Sequence, residues 1–301
     1  MLSLVLALSL HTVINTSPIS LQQPVAKQSS LAAMSSHSAG QTERTFPVSL
    51  YLPTDPPPPG RAIAINRNLK YLLAQRTTNY YHASPSQQKN IQLVAQRLNG
   101  IVVRPGEVFS YNRRLGPYTQ QNGYHWGRAF SGDRIVPSMG GGVCQGASTL
   151  YSALLRTGLP IVERHNHSLL VPYLPAGEDA TVSMSSGMDF RFKNNHSSPI
   201  LITAQAYPKE RLLTVALWGA QPPKVVSVHH KVLAYYTHKT IRKHTAHDDD
   251  DDDETVVAPG QDGGKVSTWL EIKTDRGNQK KYVGTDTYYP SPRIIAVGSD
   301  D

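Results

Sequence analysis

A single cysteine, Cys144, occurs in 301 residues, and that scarcity excludes a disulfide framework within the chain. The sequence also lacks a hydrophobic run long enough to cross a bilayer, because the apolar stretch over 2–14 is broken by Ser3, Ser9, His11 and Thr12. It carries no RNA- or DNA-binding signature and no internal repeat. Cys144, His165, His167 and an aspartate are zinc-ligand types, but their spacing matches no zinc signature. The acidic run lacks the glycine and the alternation of an EF-hand loop. Neither a metal nor a cofactor is therefore expected.

What is present is a basic chain with a formal charge of +8, unevenly spread. Seven of its 22 acids sit together over 248–254, which leaves 15 against 30 Lys and Arg elsewhere. Such a surface favours polyanionic surroundings such as nucleic acid, anionic lipid or the anionic polymers of a bacterial cell wall, and no nucleic-acid-binding signature narrows that list. Hydrophobic residues at 39% are enough to bury a core. Residues 1–33 read as a signal-like leader with Ala32 and Ala33 as a cleavage candidate, so an exported, extracytoplasmic protein is expected. Residues 34–60 form a Pro/Ser-rich linker ending in four prolines and Gly60.

Order is expected from Arg61, with a core domain over 61–219 and a small β extension over 220–301 that contains the acidic run as a disordered loop. Ser84-Pro85 reads as N-cap and N1 of a helix carrying Ile91, Val94, Ala95 and Leu98 on one stripe, stopped by Asn99-Gly100. A short strand is expected near Val108-Phe109-Ser110, then a loop up to Met139. A helix over 145–157 follows, with Ala147, Leu150, Tyr151, Leu154 and Leu155 at helical spacing. Strand character is read over 161–171. Ile200, Ile202 and Ala204 alternate, as do Leu213, Val215 and Leu217 after a turn at 208–211. The pattern is α+β, helices first and an antiparallel sheet after.

Cys144 stands at the start of the second helix. A helix N-terminus favours a thiolate, and Gly140, Gly141 and Gly142 let backbone approach a ligand, so the N–H groups nearby form a candidate oxyanion hole. A free cysteine is most often an inert buried hydrophobe. The glycines before it and the histidines after it favour a nucleophile instead. His165 and His167, two apart on the expected strand, point the same way and are the candidate bases. Asp179 would orient the imidazole from the start of the next strand, with Asp189 as the competing orienter. Gly141, Gly142, Gln145, Ser148, Tyr151 and Arg164 are the candidate substrate-contacting residues. A non-catalytic reading places Tyr118, Tyr124 and Trp126 along a binding groove.

Several motifs in one order carry a resemblance. They are the run Asn90-Ile91-Gln92-Leu93-Val94-Ala95 with Leu98-Asn99-Gly100, then Arg104-Pro105-Gly106-Glu107-Val108-Phe109-Ser110, the stretch 140–151, the stretch 163–168, and Asp189-Phe190-Arg191-Phe192. Together they resemble the VanW family over about 61–219. The tail, with Asp286-Thr287-Tyr288-Tyr289-Pro290, is similar to the small β module named for its five glycines. The resemblance implies an exported bacterial protein, and for some members an L,D-transpeptidase that cross-links peptidoglycan stem peptides through the motif cysteine, here Cys144. A more distant similarity to the papain/transglutaminase-like core singles out His167 and Asp179. The competing expectation is a peptidoglycan-binding or structural envelope protein without catalysis.

Overall fold

The computed structural model describes residues 55–131, 134–245 and 254–298, with only the backbone at 130–131, 134–135, 244–245 and 298. The expected leader and the acidic run at 248–253 lie outside the described residues. Among the described residues no helix is long and apolar enough to cross a membrane.

The helices are α1 (Arg61–Asn66), α2 (Pro85–Leu98), α3 (Tyr111–Leu115) and α4 (Val143–Leu155). The core strands are β1 (Tyr71–Asn79), β2 (Ile101–Val103), β3 (Val108–Ser110), β4 (Trp126–Ser131), β5 (Arg134–Met139), β6 (Ile161–Glu163), β7 (Arg191–Lys193), β8 (Ile200–Tyr207) and β9 (Leu212–Gly219). Four of them form an antiparallel sheet in the order β1-β9-β8-β2. Ile200, Ile202, Leu213, Val215 and Leu217 face α2 and α4 in one buried cluster. The residues between them, Leu201, Ala216 and Trp218, face Ala64 and Leu69 on the other side. The sheet is thus covered on both faces, which is why β9 is buried along its whole length.

α2 begins as its sequence predicts. Ser84 Oγ accepts from the Gln87 N–H and Gln87 Oε1 accepts from the Ser84 N–H, a reciprocal cap that satisfies two donors of the first turn. α4 is buried around nearly its whole circumference and crosses α2 closely at Gly146. A Cβ there would lie 2.3 Å from Val94 Cγ1 and 2.5 Å from the Tyr111 hydroxyl. Glycine costs helix propensity at this position and gives the close approach in return.

The structure departs from the sequence reading in four places. β1 precedes the helices, so helices and sheet are not segregated along the chain; its residues YLLAQRTTN show no clean alternation. The expected loop up to Met139 instead holds α3 and the β4–β5 hairpin. The expected strand over 161–171 ends at Glu163, and beyond it only an isolated bridge joins His165 to Thr181. The end of the linker is docked: the Pro59 carbonyl accepts from Thr203 Oγ1 at 2.7 Å and from Trp218 Nε1 at 3.1 Å.

The C-terminal extension contains β10 (Val226–Tyr236), β11 (Thr240–Thr245), β12 (Thr255–Gln261), β13 (Gly263–Thr274), β14 (Gly277–Tyr288) and β15 (Ser291–Gly298). They form two three-stranded sheets, β10-β13-β14 and β11-β15-β12, with β11 and β15 parallel. The described residues from β10 to β15 contain no helix.

Replacing Gly146 by Ala forces a methyl group into space already filled by the buried Val94 and Tyr111 side chains. We expect a loss of about 1–3 kcal/mol, read as a lower urea midpoint at unchanged slope. An unchanged midpoint would show that the helices part freely there.

Candidate active site

The glycine run before Cys144 is shaped by two left-handed residues, Gly140 at φ 79° and Gly142 at φ 105°. Between them Gly141 lies flat on β4, where a Cβ would stand 2.6 Å from the Gly127 carbonyl carbon. Asn90, fully buried on α2, ties this turn down. Its Nδ2 donates to the Gly141 carbonyl at 2.8 Å and to the His125 carbonyl at 2.9 Å, and its Oδ1 accepts the His125 N–H at 2.8 Å. The turn delivers the chain into α4 with Cys144 as its second residue.

The Cys144 thiol donates to the Val182 carbonyl at 3.4 Å and receives the Val182 N–H at 3.5 Å. It also hydrogen-bonds the His167 ring, which is 5% exposed. The other side of that ring faces Asp179, with Nδ1 2.6 Å from Oδ2. Nδ1 must carry a proton to donate to a carboxylate, which leaves Nε2 for the sulfur. Asp179 is itself fully buried and held by four donors. Oδ2 also accepts the His167 N–H at 2.7 Å, while Oδ1 accepts the Tyr288 hydroxyl at 2.6 Å and Arg164 Nη2 at 3.0 Å.

Burial disfavours the imidazolium of His167, but the hydrogen bond to Asp179, the thiol and the Asp179 charge outweigh it and lift His167 to about 9. Burial likewise opposes the Asp179 carboxylate, and the His167 hydrogen bond with the Arg164 charge overcomes it and holds the group well below the usual carboxylate range.

The other sequence-predicted residues are placed as follows. His165 is a surface residue, 43% exposed on its side chain, with Nε2 3.2 Å from Glu163; lacking a common strand, the two histidines do not point the same way. Asp189 reaches neither histidine: it accepts from Ser110 Oγ and from the Asn112 and Phe190 N–H groups beside α3. Gln145 lines the cavity, but its amide donates to Thr78 and to the Asn79 carbonyl. Ser148 exchanges hydrogen bonds with the Ala180 backbone, and Tyr151 lies under the Arg164 guanidinium at 4.9 Å. Arg164 is engaged with Asp179 and Asp286. These last three serve the packing behind the site and do not line the cavity. Gly141 and Gly142 do line it.

The cavity in front of the sulfur measures about 1080 Å³ and includes Tyr80, His82, Tyr118, Arg128, His167 and Met184 in its wall. Among the described residues lining it there is no Asp or Glu. Of the expected groove aromatics, Tyr118 lines the cavity, Tyr124 is buried and Trp126 is 62% exposed on the surface. Sequence reasoning missed Asn90, Val182 and Tyr288. Asn90 had a signal, a polar residue on the apolar side of a helix; the other two act through pairings no local pattern encodes.

Residues 86–218 match the family described as VanW like protein. The chain is 41% identical over 143 residues to the uncharacterized protein YoaR of Bacillus subtilis (strain 168), covering 48% of this chain and 47% of that protein. It is 31% identical over 113 residues to the vancomycin B-type resistance protein VanW of Enterococcus faecalis (strain ATCC 700802 / V583), covering 35% of this chain and 40% of that protein. The matched stretch thus spans less than half of each relative. Among solved structures, an IgA1 protease G5 domain covers 26% of this chain and 94% of its own at 19% identity and TM-score 0.19.

His167 binds its proton more tightly in the fold than in the unfolded chain. The stability it contributes is complete below about pH 6.5 and is lost as pH climbs through about 9. Asp179 contributes in the opposite sense, losing its share as pH falls below the ordinary carboxylate range. Thermal melts should therefore fall between neutral and alkaline pH, and fall less in His167→Gln; equal slopes would remove His167 as the cause.

Proposed function

We propose that this chain, a member of the VanW-like family through residues 86–218, is a cysteine-dependent acyl transferase of the cell envelope that acts on peptidoglycan stem peptides. The single observation behind this reading is Cys144, His167 and Asp179 in hydrogen-bonded series at the wall of a peptide-sized cavity. Exported placement follows from the same reading. We extend the fold to kinship with the papain/transglutaminase-like core, in which a thiol at a helix start meets an imidazole carried beside an antiparallel sheet.

The chemistry runs in two halves. His167, an imidazolium up to about pH 9, already holds the Cys144 proton on Nε2 when the thiolate attacks an amide carbonyl carbon, and Asp179 stabilises that imidazolium. The developing oxyanion meets the Cys144 N–H in the first turn of α4, where amide hydrogens lack intrahelical acceptors. The imidazolium then gives its proton to the departing amine, the C–N bond breaks, and a thioester remains. An amine from a second stem peptide attacks that thioester and gives its proton to His167, the C–S bond breaks, and the thiolate beside the imidazolium is restored. A cavity with cationic groups and no described carboxylate in its wall suits a peptide bearing free carboxylates. The Enterococcus relative is named for vancomycin resistance, and we extend that association with the wall to this chain.

A second reading, a wall-binding protein without catalysis, has one observation in its favour. The sulfur is engaged by both backbone groups of Val182, as a structural thiol is. The family comparisons support this reading better than the first.

Purified protein incubated with muropeptides and read by mass spectrometry separates the two. We expect Cys144→Ala to lose at least about a thousandfold in conversion while still retaining peptide in equilibrium binding. Conversion by Cys144→Ala equal to wild type would sink the acyl-transfer reading, and equal binding with no conversion by either protein would establish the second.

A further inference from the structure

Beyond the three residues in series, we infer that the C-terminal β extension is part of the active site: Tyr288, and Asp286 acting through Arg164, are positioning residues that hold Asp179 against His167. This rests on the acyl-transfer reading for its purpose, though not for its geometry. Both residues lie beyond the stretch 86–218 that matches the family.

Tyr288 is the last residue of β14 and is fully buried. Its oxygen accepts the Gly177 N–H at 2.7 Å and donates to Asp179 Oδ1 at 2.6 Å, so it measures out the loop that carries the carboxylate. Burial, and next the Asp179 charge, keep that hydroxyl protonated and therefore a donor. Asp286, two residues earlier, pairs with Arg164 Nη1 at 2.5 Å, while Nη2 and Nε of the same guanidinium hold the Asp179 side chain and carbonyl. Residues two apart on a strand share a face, and β14 uses that face for both contacts.

The histidine segment is bracketed from the same strand end. Asn166 Nδ2 donates to the Thr287 carbonyl at 2.9 Å, and the Tyr289 N–H donates to the Ser168 carbonyl at 2.7 Å. His167 therefore sits between two ties to the backbone of the extension, one from the Asn166 side chain and one from the Ser168 carbonyl. β13 and β10 close the far side of the carboxylate loop. Gly177, at φ 92°, has no room for a Cβ against Thr268, and His230 Nε2 lies 3.0 Å from the neighbouring Glu178. The titratable and charged groups facing the Asp179–His167 pair are Cys144, Tyr173, Arg164, Tyr151, Tyr288 and Asp286, with Glu178 adjacent in sequence.

The two positioning contacts act on His167 with opposite sign. The Tyr288 hydroxyl takes up part of the Asp179 charge; without it the imidazolium feels more of that charge and keeps its proton to higher pH. Asp286 competes with Asp179 for Arg164; without its charge the guanidinium neutralises Asp179 more fully, and the imidazolium loses its proton at lower pH.

The test is an NMR titration of the His167 ring in the full-length chain, comparing wild type, Tyr288→Phe and Asp286→Asn. Phenylalanine preserves the buried ring and asparagine the shape, and each titration is run well below that variant's melting temperature. The expected result is a midpoint shifted up in Tyr288→Phe and down in Asp286→Asn, with slower muropeptide conversion in both. A merely structural extension, loosened by either change, would admit water to the pair and move both midpoints the same way or not at all. Either of those patterns overturns the inference. If Cys144→Ala converts muropeptides like wild type, the acyl-transfer reading fails, yet the two midpoints still decide whether the extension sets the Asp179–His167 pair.

Discussion

A buried carboxylate governs this molecule. Asp179 has no exposed surface, and an ionised group in that position is tolerated only if its lone pairs are met. They are met by an imidazole N–H, a backbone N–H, a phenol and a guanidinium, drawn from the histidine segment and from β14. Each donor fixes a different part of the fold. The backbone N–H and imidazole fix His167, the guanidinium fixes Arg164 over Tyr151, and the phenol fixes the end of β14. The carboxylate is therefore the point at which the core and its extension acquire a common geometry.

The thiol is fixed independently, from the other direction. Its position depends on the turn through Gly140, Gly141 and Gly142, which Asn90 clamps from α2 and which no larger residue at 141 could enter. Thiol and imidazole thus arrive on separately anchored segments, and the contact between them follows from packing α4 against the loop carrying Val182. Ser148, one turn beyond Cys144, is bonded to the Ala180 backbone and sets that packing. A side chain expected to touch substrate proves to register the helix against the loop that carries Asp179.

Much of this was legible. Helix caps are local, so Ser84-Pro85 and the glycine stop announce α2, and the 3.6-residue spacing of Leu150, Leu154 and Leu155 announces α4. The alternation at 200–204 and 213–217 marks one face of β8 and β9, while Trp218 and Leu201 show that the other face is covered as well. β1 was hidden because its polar residues Thr77 and Thr78 are buried and satisfied by Thr214 across the sheet and Thr149 on α4, pairings that no local pattern contains. By spacing alone His165 and His167 were indistinguishable for the same reason, and only the papain/transglutaminase-like resemblance singled out His167. What separates them is the end of regular pairing at Glu163, which turns one ring to solvent and the other inward. Tyr288, 109 residues from Asp179, lies beyond any spacing rule.

The Asp179 cluster gains meaning beside its neighbour. Glu178 is also buried and charged, held by Ser152, Arg156 and His230. Burial opposes its ionisation, and the His230 hydrogen bond with the Arg156 contacts drives it well below the usual carboxylate range, as for Asp179. Buried ion clusters of this kind seldom stabilise a fold more than apolar groups of the same shape would, so their cost argues for specificity or chemistry. The Glu178 cluster holds no thiol, and none of its residues lines the cavity in front of Cys144, so registering the extension accounts for it. The Asp179 cluster adds an imidazole whose remaining nitrogen meets a thiol at a cavity wall. Strong electrostatics alone does not distinguish the two adjacent acids; access to the cavity through His167 and Cys144 does.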